Sequence, residues 1–73
     1  MESNKHIVEK ETDLLVKAVG GEMTRNTAWI FVAADAEFYE QRKDLQREFK
    51  DLGTYLAFRR AERAGKVRIH GEQ

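Results

Sequence analysis

Arg59, Arg60 and Arg63 fall within one helical turn near the end of the chain, with Lys66 and Arg68 beyond them and Tyr55 and Phe58 just before. A guanidinium presents a planar fork of donors that grips a carboxylate or a phosphate through two parallel bonds, and neighbouring aromatics stack on bases. Tyr55, Arg59, Arg60, Arg63, Lys66 and Arg68 are therefore the expected partner-binding residues. An acidic protein surface is the first expectation for that partner and nucleic acid the second. The competing expectation is a solvated helix end, whose cations suit the negative pole of the helix dipole. In every case the arginines face solvent, so replacing Arg59, Arg60 and Arg63 by glutamate is expected to leave stability almost unchanged.

Other chemistry finds little support. His6 and His70 are the only histidines, one near each terminus, and cysteine is absent, so no spacing suggests a metal site. Ser3 is the only serine and stands at the chain end, a poor place for a nucleophile. Gly20-Gly21-Glu22 lacks the later glycine and the lysine of a phosphate loop. A helix-turn-helix fails in both registers. With Gly53 as the turn glycine, Phe49 stands where a small residue is needed, and Arg59 and Glu62 where the core should be; with Gly20, Val16 and Asn26 are misplaced. Most of the 13 acidic residues lie beside basic neighbours, as on an ordinary solvated face. No catalytic residue, cofactor or metal is expected.

Net charge is zero but unevenly spread: residues 1–51 hold eight basic and eleven acidic side chains, and residues 52–73 five basic and two acidic. A protein living on nucleic acid is usually basic throughout, whereas this one is basic only at its end. That ranks a protein partner above nucleic acid, and a non-catalytic regulator or inhibitor above an enzyme.

The elements that must position these residues read as helices. Ser3 is placed to cap a first helix running to about Val19, with Ile7, Leu14, Leu15 and Ala18 on one face and Glu11 interrupting it. Gly20-Gly21 ends it, since glycine accepts the left-handed conformation that follows a helix. Residues 24–34 carry conflicting signals. Thr24 or Thr27 can cap a helix that is apolar nearly all round, from Trp29 to Ala33, and such a helix is expected to be central and buried. The same run is β-branched and aromatic enough for a buried strand. The alanines at 28, 33, 34 and 36 favour helix.

From Asp35 to Ala64 the helical pattern is strong. Phe31, Phe38, Leu45, Phe49, Leu52 and Leu56 form a stripe that serves as core or as dimer interface. Gly53 marks a kink, a close crossing or a break into two helices, and Gly65 a stop. Lys66 to His70 alternates and is expected to be extended.

These readings give a mainly α fold, a small helical bundle or helical hairpin with a short extended C-terminal segment. All 73 residues form one domain, frayed at 1–5 and 70–73. So short a chain, without disulfides, gains from self-association, so a homodimer is a further expectation. No apolar run reaches the length of a membrane span and no signal-peptide pattern opens the chain, which leaves a cytoplasmic protein as the default.

Overall fold

The computed structural model describes the backbone of residues 2–72 and the side chains of residues 4–65. Four helices follow one another: α1 (Glu2–Ala18), α2 (Arg25–Gln41), α3 (Lys43–Glu48) and α4 (Leu52–Glu72). The mainly α expectation holds, and in the segment 24–34 the residues from 25 on are helix rather than strand, with Thr24 as the cap.

Local chemistry sets each boundary. Gly20 and Gly21 have φ of 63° and 86°. The Gly21 N–H donates to the Val16 carbonyl at 3.5 Å and the Gly20 N–H to the Lys17 carbonyl at 3.1 Å, the two bonds of a Schellman motif. Thr24 then caps α2, its hydroxyl oxygen accepting from the Thr27 N–H at 3.2 Å. At the far end of α2 the Arg42 N–H donates to the Tyr39 carbonyl at 3.4 Å, and the Gln46 side-chain amide donates to the carbonyls of Tyr39 (3.0 Å) and Glu40 (3.2 Å). Asp51 precedes α4 and accepts from both the N–H (2.9 Å) and the hydroxyl (2.8 Å) of Thr54. Those two bonds favour the ionised form and hold the Asp51 carboxyl below its ordinary value.

The strongly helical stretch from Asp35 is thus cut twice, at Arg42 and across residues 49–51. Of the readings offered for Gly53, the break into two helices is the correct one, but it falls ahead of the glycine, where Asp51 caps the new helix. Gly65 does not stop α4, and residues 66–70 continue the helix instead of extending. With no strand among the described residues for it to pair with, an isolated edge segment there would leave its backbone unpaired, whereas continued helix satisfies it.

α1 and α2 pack side by side, and α4 returns along both. Val8, Leu15, Val19, Ala28, Val32, Ala36, Tyr39, Leu52, Tyr55 and Leu56 form the core. On α1 the buried residues are Val8, Glu11, Thr12, Leu15 and Val19; of the expected face Leu15 is buried, while Ile7, Leu14 and Ala18 are half-buried. The radius of gyration is 12.4 Å, against about 11 Å for a typical domain of this length. The smallest Cα extent is 14 Å, room for two layers of helices with axes about 8–10 Å apart. Two layers cannot enclose a helix. α2 is accordingly covered on one face and open on the other, which corrects the expectation that it is buried all round.

Candidate functional site

The arginine cluster is turned into the fold. Arg63 donates to Asp35 at 2.5 Å, and Arg59 Nε lies 3.6 Å from the same carboxylate while its NH1 reaches Glu62 at 2.6 Å. Arg60 donates to Glu11 at 2.6 Å. Asp35 and Glu11 are both only 8% exposed. Each is a carboxylate on the buried face of its helix, where an unpaired charge would be costly. Glu11, which broke the apolar pattern of α1, therefore has its reason on α4, 49 residues away. The 3.6 Å contact is too long for a hydrogen bond, so Arg59 Nε is buried without a partner. Arg63 also lies 4.7 Å above the Phe31 ring, a cation–π contact.

Tyr55, expected on the partner surface, is 5% exposed and belongs to the core. It stacks on Tyr39 at 5.4 Å and meets the edge of Phe49 at 5.2 Å. Burial pushes its phenol above the ordinary value. Tyr39, not singled out by the sequence pattern, also ties α2 to the chain ahead of α4 by donating its hydroxyl to the Phe49 carbonyl at 2.9 Å. The side chains of Lys66 and Arg68 lie outside the described residues. So the residues expected to meet a partner are in large part those that hold α4 to α1 and α2.

The expected stripe divides in the same way. Leu52 and Leu56 are buried and Leu45 and Phe49 pack against the core, whereas Phe31 and Phe38 are exposed and are not core residues. They belong to a different surface. α2 buries Ala28, Val32, Asp35, Ala36 and Tyr39, one face at helical spacing. Its outer face carries Trp29, Ile30, Phe31, Ala34 and Phe38, all exposed, with Ile30 at 62% and Trp29 at 46%. Glu37 and Glu40, both exposed, share this arc of the helix with them. Phe38 carries the Arg42 guanidinium 4.9 Å from its ring. Arg42 is itself held in a fork by Asp44, at 3.0 and 2.8 Å, and this pairing draws the Asp44 carboxyl below its ordinary value.

Beside this face, between α1 and α2, runs an open groove of about 380 Å³ whose lining, among the described residues, comes from these two helices. Val8, Trp29, Ala33 and Ala36 supply its apolar lining. Its polar lining is Asn4, Lys5, Glu9, Glu37 and Glu40, one cation against three carboxylates. The Asn4 side-chain amide donates to Glu40 across one end.

The α2 face was legible in the sequence only as excess: a run too apolar for one buried side of a helix. The groove had no sequence signal, because it is made by two helices whose pairing the periodicity does not specify. Among the described residues no three His, Cys, Asp or Glu side chains gather where they could hold a metal ion, and no helix is long and apolar enough to cross a membrane. Comparison with protein-family models, curated proteins and solved structures gave no match to this chain.

Proposed function

We propose that this chain is a small non-catalytic binding protein, a regulator or inhibitor that acts by covering a surface of a larger protein, and that the outer face of α2 is what it presents. The observation that carries this reading is the contiguous row of exposed large apolar side chains, Trp29, Ile30, Phe31 and Phe38, on a helix whose opposite face is packed. Contiguous apolar surface of this kind is uncommon on a protein that stays alone in water. Tryptophan and other aromatics also dominate the energetics of protein interfaces.

Contact through the arginines, with an acidic protein or with nucleic acid, is less favoured. Arg59, Arg60 and Arg63 would have to leave carboxylates that nothing else neutralises. Self-association through α2 remains a form of the same reading, since Phe31 and Phe38 flank the small Ala34 at helical spacing.

The test is affinity capture from cell extract with the unmodified protein and with Ile30→Asp. Ile30 is 62% exposed and outside the core cluster, so the variant should fold and melt as the original does, and a specific partner should be lost from it. A partner held equally by both proteins would refute the assignment of the α2 face.

A further inference from the structure

We infer that the groove between α1 and α2 receives a basic amphipathic helix of a partner protein, with one bulky apolar side chain seated against Trp29 and Ala33. The inference rests on the binding role proposed for α2 and names the partner's chemistry. Two adjacent helices leave between them a furrow that a third helix fits, and α4 packs on α1 and α2 with none of its described side chains in the lining of this groove. Ala33 and Ala36, one turn apart, keep its wall low enough for a helix backbone to come close. The lining then decides the sign of the occupant. Glu9, Glu37 and Glu40 outnumber Lys5, and all four are exposed, so lysines or arginines flanking an apolar anchor find carboxylates on both walls. An acidic helix meets repulsion there. The preference is opposite in sign to the one the arginine cluster suggested, because that cluster is neutralised inside the fold.

Trp29 is the only tryptophan of the chain and lies in the groove, so its fluorescence reports occupancy directly. The probes are two helix-forming peptides with the same leucine face, one with lysines on its polar side and one with glutamates. The lysine peptide should shift Trp29 emission to the blue saturably and lose affinity with added salt, while the glutamate peptide should bind at least about tenfold more weakly. Glu37→Lys/Glu40→Lys, two exposed positions, should reverse the order of the two peptides. Equal binding of both peptides, or indifference to the Glu37→Lys/Glu40→Lys variant, would overturn the inference. So would an emission shift that follows protein concentration with no peptide present, which would give the groove to a second copy of the chain. Failure here with the Ile30→Asp effect intact would leave the α2 face as a contact surface and remove only the groove. Loss of the Ile30→Asp effect would remove the broader reading.

Discussion

Charge reversal at Arg63 separates an arginine that waits for a partner from one that holds the fold. Arg63 is 18% exposed, and its NH1 lies 2.5 Å from an Asp35 carboxylate that is itself 11% exposed at the side chain. Replacement by glutamate removes this attraction and sets a second carboxylate against the first, with Arg59 at 3.6 Å as the nearest remaining cation. Breaking a well-buried pair costs about 3–5 kcal/mol. Residual exposure of the guanidinium and the presence of Arg59 reduce this to about 2–3 kcal/mol. For 73 residues the whole stability is on the order of 4–11 kcal/mol, so one substitution removes a large share of it. Urea denaturation followed by circular dichroism is the assay. With a slope of about 1 kcal/mol per M, the midpoint should fall by roughly 2–3 M. The triple variant with glutamate at 59, 60 and 63 also opposes Glu11, and should be largely unfolded without denaturant. The exposed-arginine expectation requires no change in either case. A midpoint within about 0.5 M of the original would refute the reasoning, and so would strict additivity of Asp35→Ala and Arg63→Ala in a double-mutant cycle.

Other outcomes follow from the caps, the aromatics and the glycines. Tyr39→Phe should cost about 1 kcal/mol in the same assay through loss of the bond to the Phe49 carbonyl. Gly53→Ala and Gly65→Ala should each raise stability by about 0.4–1 kcal/mol. Both lie in α4, and an added Cβ meets only Asp51 Oδ1 at 3.7 Å in the first and nothing within 4 Å in the second. Asp51→Ala should lower the melting temperature and flatten its decline in acid. Because the folded value is the lower one, the Asp51 contribution is complete above the unfolded carboxyl range and is lost as pH falls through the depressed value. Tyr55 acts at the other extreme. Its folded value is raised, so its contribution is full below the ordinary phenol range and is lost as pH climbs through the raised value, and Tyr55→Phe should remove that alkaline loss.

What the sequence determined by itself was local. Gly20-Gly21 as a helix stop, Thr24 as one of two candidate caps, and the helical preference of the alanine-rich segment depend on backbone chemistry within a few residues, and each reappears in the structure. Leu52 and Leu56 were recognisable as core because period alone places them on one side. Tertiary structure decided everything that depends on which face meets which. Glu11 reads as a flaw in an apolar face, and Asp35 as the opening of a helical stretch, until α4 brings Arg60 and Arg63 against them, and no spacing within 59–63 tells a solvated arginine from one paired with residue 11 or 35. Tyr55 looked like a neighbour of the arginines along the chain, yet packing against Tyr39 sends it inward. Gly65 has the composition of a stop, but the chain continues as helix through it. The same limit holds for α2. Its sequence is apolar on more than one side, and whether such a helix is enclosed depends on how many others surround it. A chain with only two long helices to set beside it, in two layers, leaves Trp29, Ile30, Phe31 and Phe38 facing outward.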